Sequence, residues 1–451
     1  MVGRKDGNLK ISKFYSEEYM QAALYVSYRS IANYIDGLKP SGRKVVHTID
    51  ENNITKKIKV SQLISKVAEQ DLYLHGEQSL SGVVTGLARD YVGGNNINIL
   101  TPDGNFGSRF VPEPSASRYI YTYKSDSFNE LFNADDRDVL EEQWFEGERI
   151  EYKYYVPILP LILINGSEGI GNGFAQKILP RNIEDVKQEI ANKLKSTKYT
   201  IKPLIPYFKG FNGLVEQNGE SNRWIVSGSF TRVNTSTIHI TEVPIGYDLK
   251  SYLQVLDDLV EKKVIKDYDD NSNDDNFDFL IRATRDFVAQ SDDEIFDKLR
   301  LKKTYSENYT CTDEKNKIIE FNDDAEIITE FIRVRLKYYT KRKNRIIEKL
   351  KQQIVVNENK VRFITAVIDD SSVVSGKTKK QLEAWLKKEE FDMVDESYNY
   401  LINMPIYSLT TDRVKDLNKQ LVSLQKELDS TSKKTNKKMW LEDLENTSHI
   451  A

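Results

Sequence analysis

Apolar residues change their spacing three times along the chain, and each change predicts a different kind of element. In residues 16–35, SEEYMQAALYVSYRSIANYI, the side chains of Met20, Leu24, Ile31 and Ile35 follow a helical repeat behind Ser16. That pattern predicts a serine-capped helix buried along one face. The segment DGLKPSGRK then breaks the repeat with Gly and Pro, and leaves Lys39, Arg43 and Lys44 on a turn and the start of the next helix. KVSQLISKVAEQDLYL and SLSGVVTGLARDYV predict two more helices, and INILTPDGNFGSRF predicts a hairpin about its D-G turn. Helices followed by a hairpin is the order of a winged helix-turn-helix.

From about residue 152 to 322 the apolar runs PILPLILING, RWIVSGSFTRV and STIHITEVPI are separated by turn signals, which predicts a distinct α+β domain. Its acidic stretch DYDDNSNDDNFD, residues 267–278, reads as a solvated loop, because the Gly and terminal Glu of a calcium loop are missing. The last third is helical. Residues 325–368 contain neither Pro nor Gly, and Val414, Leu417, Leu421, Leu424 and Leu428 alternate spacings of three and four. Two long helical segments around a small module at residues 367–409 predict an antiparallel coiled coil with a globular tip. The tail STSKKTNKKMWLEDLENTSHIA begins polar and is expected to be only partly ordered.

With 451 residues the chain exceeds one ordinary core, so two or three folding units are expected. The net charge is only -4 although 30% of residues are charged, so any basic face must be local. A single cysteine, Cys311, excludes a disulfide framework and a cysteine-built zinc site, and points to a reducing compartment. His47, His75, His239 and His449 show no metal-ligand spacing. MVGRKDGNLK carries no apolar leader, and no stretch has the roughly 18 to 20 apolar residues of a membrane span. An intracellular, soluble protein is expected.

Chemistry concentrates in GNFGSRFVPEPSASRYIYTY, residues 104–123. A tyrosine hydroxyl near pKa 10 is a poor nucleophile at neutral pH, so Tyr119 needs a cation beside its target and a base for its proton. Arg118 supplies the cation. The competing reading is that RYIYTY, rich in aromatic and β-branched residues, is simply a strand. Seven basic residues between Lys39 and Lys66 against Asp50 and Glu51 give a local positive field. Gly104 and Gly107 let backbone approach a ligand, and Ser108, Arg109, Ser115 and Ser117 add phosphate-compatible donors. His75, in LYLHGEQS, is either a capping residue or a donor and proton relay for the Arg-Tyr pair. The N-terminal third has no compact D-x-D cluster, so a metal, if used, is held elsewhere.

The ordered run IDGLKPSGRKV, KVSQLISKVAEQDLYLHGEQSL, GNFGSR, SASRYIYTY, LINGSEGIGNG, FIRVRLKYYTKRK and YNYLINMPIYSLT resembles the breakage-reunion region of type IIA DNA topoisomerases. It spans nearly the whole chain, in the eukaryotic and T4-type phage flavour, and is similar to the separate medium subunit of T4-like phage enzymes. The resemblance implies an α+β multidomain fold. A winged-helix DNA-binding and cleavage domain takes residues 1–150, and an α/β tower domain takes 151–322. A long antiparallel coiled coil takes 323–430, with a small helical exit-gate dimerisation module at about 367–412, and 431–451 form the tail.

The same resemblance implies that Tyr119 attacks a DNA phosphate and stays linked to the 5′ end while Arg118 stabilises the transition state. His75, Lys39, Arg43, Lys44 and Ser79 hold the scissile strand and its neighbours. Ile170, in EGIGNG, wedges between base pairs of double-stranded DNA. Leu74 stands where relatives often carry a histidine, and Ser117 replaces a common proline. One tyrosine per chain implies a homodimer. Mg²⁺ and ATP are expected on a separate Toprim/ATPase subunit, no metal in this chain, and host cytoplasm if the phage likeness holds. The alternative is a non-catalytic winged-helix DNA-binding protein dimerised by a coiled coil; a tyrosine recombinase would carry its tyrosine late in the chain.

Overall fold

Pro40 fixes the first turn of helix Pro40–Glu51, which packs against Val60–Gln70 and Glu77–Ala88. Their facing side chains, among them Val45, Val46, Ile49, Leu63, Ile64, Val67, Leu80 and Val84, are buried. A three-stranded antiparallel sheet lies beside them, with Tyr121–Lys124 between Ile58–Lys59 and Leu100–Asp103. Tyr121 faces Lys59 on one side and Asp103 on the other. The expected tight D-G hairpin is therefore corrected: Leu100–Asp103 pairs only with Tyr121–Lys124, and residues 104–120 form a long loop between them.

The structure is a computed structural model that describes residues 11–219, 222–273 and 276–447. MVGRKDGNLK, Asp274 and Asp275 of the acidic run, and His449 lie outside the described residues. The chain divides into two compact units, Met1–Arg335 with Leu441–Ala451, and Leu336–Trp440. Both sides of residue 150 lie in the first unit, where Glu151 is buried and paired with Lys44 at 2.6 Å.

The first helix departs from its sequence reading. It is built of Ile11–Lys13, a π-helical Phe14–Tyr19 and Met20–Ser30, so Ser16 lies inside it rather than capping it. Met20 and Leu24 are exposed, at 50% and 59%, whereas Ile31 and Ile35 are buried only after the helix has ended. Farther on, PILPLILING yields the short buried helix Leu161–Ile164.

A four-stranded antiparallel sheet follows, in the order Ser229–Asn234, Thr237–Glu242, Phe279–Arg282, Asp267–Asp270. Ile238, Ile240, Phe279 and Ile281 bury its inner face with Tyr252 and Leu256 of helix Leu249–Glu261, whose start Asp248 and Ser251 cap reciprocally. The first part of the acidic stretch is thus a strand and not a loop, and Arg282 pairs with Asp267 and Asp269 across it. A second sheet orders Lys302–Ser306, Arg223–Ser227 and Leu214–Gln217. Buried Arg181 ties this region together through Glu307 at 2.8 Å and Asp324 at 2.7 Å.

In the second unit the helix Asp324–Asp369, which begins in the first, runs antiparallel to Thr411–Lys433. Lys343 donates to the carbonyls of Ser432 and Lys434, while Lys360 lines one cavity with Arg413 and Asp416. Along Thr411–Lys433 only Leu417 is fully buried; Val414, Leu421, Leu424 and Leu428 are half-buried. The module between the two helices has its own core of Phe363, Leu386, Phe391 and Leu401. Part of the tail is described and helical. Asn436–Glu445 is a helix, and Trp440 is fully buried with its ring stacked 5.4 Å from that of Tyr339.

Candidate active site

Tyr119 sits outside the strand that its sequence suggests. Pairing starts at Tyr121, and residues 117–119 form a turn closed by the Tyr119 amide donating to the Ala116 carbonyl at 2.9 Å. The first amides of a helix have no partner within it, and here two of them hold the loop. Val60 N donates to the Ile120 carbonyl at 3.0 Å and Ser61 N to the Ser117 carbonyl at 3.2 Å. Ile120 is buried at 1% exposure while Tyr119, one residue before it, is 66% exposed. The Arg118 guanidinium lies 5.0 Å from the Tyr119 ring centre, within cation–π range.

The rest of the loop is pinned from below. Gly107 has φ +91°, and a Cβ there would meet the Pro112 carbonyl carbon at 2.9 Å. The Ser108 hydroxyl accepts from the amides of Phe110 and Val111, both at 3.1 Å. Arg109 is buried, paired with Glu242 at 2.6 Å and donating to the Val243 carbonyl at 2.8 Å. The reading of Arg109 as a phosphate donor is corrected, because it is spent on Glu242 and the Val243 carbonyl; the Ser108 hydroxyl accepts two loop bonds and keeps its own O–H to donate.

A cavity of about 590 Å³ gathers Lys39, Lys44, His75 and Ser79 with Tyr25, Tyr28 and Arg29. Arg118 and Tyr119 do not line it. Lys39 donates to the Glu168 carbonyl at 2.8 Å, and burial lowers its pKa, with the Glu168 carboxylate opposing. Lys44 is held by the Asp71 carbonyl at 2.5 Å and by Glu151 at 2.6 Å. Burial raises the Glu151 pKa against the pull of Lys44. Beneath them Asp71 binds His47 Nδ1 at 2.7 Å and accepts from the Thr48 hydroxyl at 2.8 Å. His75 Nε2 lies 3.0 Å from the Tyr25 hydroxyl.

Arg43 does not belong to this surface. It is 1% exposed and bound to Asp36 at 2.7 Å, so reaching a phosphate would strand a buried carboxylate. In this structure Arg43 makes a scaffold contact rather than a surface one. Tyr25, Tyr28 and Arg29 carry no sequence signal of a site. They lie on an apolar-looking helix, and only the approach of residues 72–75 brings them to the cavity.

Ile170 ends strand Ser167–Ile170, which pairs with Ala175–Ile178. It is 79% exposed at the tip of this hairpin. Gly169 lets the hairpin press on the first helix, since a Cβ there would meet the Ser30 carbonyl carbon at 3.0 Å. Cys311 is no nucleophile: burial pushes its thiol up to about 12. Among the described residues no group of three or more His, Cys, Asp or Glu is placed to hold a metal ion. Among those residues no helix is long and apolar enough to cross a membrane.

Residues 29–445 match the family described as the A-subunit of DNA gyrase/topoisomerase IV. DNA topoisomerase 2 of Plasmodium falciparum (isolate K1 / Thailand) is 34% identical over 98% of this chain and 34% of its own length. Mitochondrial DNA topoisomerase 2 of Dictyostelium discoideum is 32% identical over 96% of this chain and 34% of its own. The chain spans about a third of the length of these curated relatives. The crystal structure of the Plasmodium falciparum topoisomerase II DNA-binding, cleavage and re-ligation domain matches with a TM-score of 0.90 at 33% identity. That match covers 100% of this chain and 65% of the other.

Proposed function

The chain belongs to the DNA gyrase/topoisomerase IV A-subunit family, and from that premise we propose that it cleaves and rejoins DNA as part of a type IIA topoisomerase. The observation that carries this reading is the exposed Tyr119, held on a helix-pinned turn with the Arg118 guanidinium over its ring. Its phenol oxygen attacks a backbone phosphorus; the P–O bond to the 3′ oxygen breaks as the P–O bond to tyrosine forms. The phenol proton passes to a base, the departing 3′ oxygen takes up a proton, and the 5′ end stays on the enzyme. Because one phosphodiester replaces another, reversal needs no nucleotide at this site. Arg118 offsets the charge that builds on the phosphoryl oxygens.

Lys39, Lys44, Ser79 and His75, gathered on one cavity, are read as contacts to the scissile strand and its neighbours. Exposed Ile170 is read as a wedge, since an apolar side chain on a rigid tip can open a base step at about a few kcal/mol. The helical layer and its sheet are read as a winged helix, and the two larger sheets as a tower. A double-strand break needs two tyrosines, so the working unit is a dimer, with the tip of the second unit as its exit gate. On this reading carboxylates, Mg²⁺ and ATP sites come from a Toprim/ATPase polypeptide. As a separate subunit, with the chain acting in phage-infected cytoplasm, that is the arrangement of T4-like phages; the relatives named above are eukaryotic.

The test mixes the chain with a Toprim/ATPase partner, supercoiled DNA and Mg²⁺, then denatures the mixture. Protein joined to 5′ ends, absent in Tyr119→Phe, is expected. A 3′ linkage, or an undiminished adduct in Tyr119→Phe, overturns the proposal. DNA binding without any adduct favours the non-catalytic alternative.

A further inference from the structure

We propose that Tyr25 is the positioning residue of His75, fixing its imidazole as the neutral tautomer with the proton on Nδ1. The inference rests on the cleavage reading only for its consequence, not for its geometry. Tyr25 stands on helix Met20–Ser30, fifty residues before His75, yet its hydroxyl is 3.0 Å from His75 Nε2. The helix that carries it is anchored close by: buried Ser27 accepts from the Asn172 amide at 3.3 Å. On the other side the Tyr73 ring meets the imidazole edge-on, 5.5 Å between centres and 81° between planes. Two tyrosines from different segments thus define the position of a half-buried ring.

The direction of the bond follows from acidity. A phenol with pKa near 10 is the donor when it faces a neutral imidazole nitrogen, and a nitrogen that accepts carries no proton. Nδ1–H is then the ring's remaining donor, available to a nonbridging phosphate oxygen. Protonation at Nε2 would force the phenol to turn and accept. Burial and the nearby Arg29 cation lower the His75 pKa in the same direction. The other charged or titratable groups on the cavity are Tyr28, Lys39, Lys44, Tyr73 and Glu151; three of the cavity's groups, Arg29, Lys39 and Lys44, are cations that oppose a further positive charge.

Tyr25 is itself 50% exposed, so Tyr25→Phe removes one hydroxyl without opening a core. The test has two readouts in the full chain. In the DNA-free protein, ¹⁵N spectra of the histidines, with the His75 signal assigned by its loss in His75→Gln, are expected to show protonated Nδ1 and bare Nε2 at neutral pH. Tyr25→Phe is expected to mix the tautomers and move the His75 titration. With DNA and partner, Tyr25→Phe should slow 5′ adduct formation about tenfold and add nothing in a His75→Gln background. An unchanged His75 spectrum in Tyr25→Phe, or an additive loss in the double variant, overturns the proposal. Failure of the wild type to form any adduct sinks the cleavage reading alone, because the spectra report on the free protein.

Discussion

The Arg118 guanidinium carbon lies 5.0 Å from the centre of the Tyr119 ring, and both side chains are exposed on a turn whose next residue, Ile120, is buried. Cation and phenol are therefore presented as one unit. Removing the cation should affect the charge that develops during attack far more than it affects holding DNA. Arg118→Ala is expected to slow 5′ adduct formation by about 10²- to 10³-fold. The salt slope of DNA binding should fall by only about one phosphate contact. Adduct time courses and binding at several salt concentrations check the two halves separately.

The loop's shape depends on a position that only glycine fills. Gly107 combines φ +91° with a Pro112 carbonyl carbon that a Cβ would approach to 2.9 Å. Gly107→Ala should destabilise the loop by about 1–3 kcal/mol and reduce adduct formation. In helix Glu77–Ala88, Gly82 has nothing within 4 Å of its would-be Cβ. Gly82→Ala should raise stability by up to about 1 kcal/mol. Denaturant unfolding of the two variants should move in opposite directions.

Sequence made the order of elements legible, because helical repeats at Val60–Gln70 and Glu77–Ala88 and alternation at Thr237–Glu242 are local. It also marked Tyr119 and the cavity residues Lys39, Lys44, His75 and Ser79. What it could not show was which cations are already spent. Arg43 and Arg109 look like phosphate ligands until Asp36 and the distant Glu242 are seen to neutralise them. The first helix misled for the converse reason: Met20 and Leu24 have helical spacing but no covering element among the described residues. RYIYTY has strand chemistry throughout, yet the bonds from Val60 and Ser61 hold Ser117 and Ile120 in a turn before the pairing begins. The tail looked polar because only a few of its residues, Met439, Trp440 and Leu444, are buried hydrophobics.

Arg181 is held by two carboxylates in a site with no solvent. Glu307 also accepts from the Trp224 indole at 2.7 Å, so its charge is shared by several partners. Arg181→Met strands Glu307 and Asp324 together, and should cost about 3–5 kcal/mol. A triple change that also replaces both carboxylates with apolar residues of similar size should recover much of that loss. Thermal unfolding of the single and triple variants decides whether the stranded charges are the cause.

Ile170 is exposed at its hairpin tip, so truncating it removes little burial. Ile170→Ala should leave the unfolding free energy within about 0.5 kcal/mol of wild type. If the residue is a wedge, the variant should bend a dye-labelled duplex less while still binding it. Equal energy transfer in wild type and variant would remove Ile170 from the DNA-bending role.

The tip of the second unit exposes Ile406 at 86% and Tyr407 at 83%, beside a module whose own core is complete. Large apolar side chains this open are tolerated singly, but two adjacent ones on a short 3₁₀ turn, Ile406–Ser408, form a patch suited to a two-fold copy of itself. Ile406→Asp with Tyr407→Asp removes no core contact, so the fold should survive with its melting temperature nearly unchanged. Association should not survive, because closing the interface would bury four uncompensated carboxylates, two from each copy. Sedimentation of the wild type should show a dimer, and the variant should run as a monomer at the same concentration. With partner and DNA present, the variant should still nick single strands through Tyr119 but lose double-strand breaks, since paired cuts require two tyrosines held together. A variant that stays dimeric, or that cuts both strands as before, would place the dimer contact elsewhere in the chain.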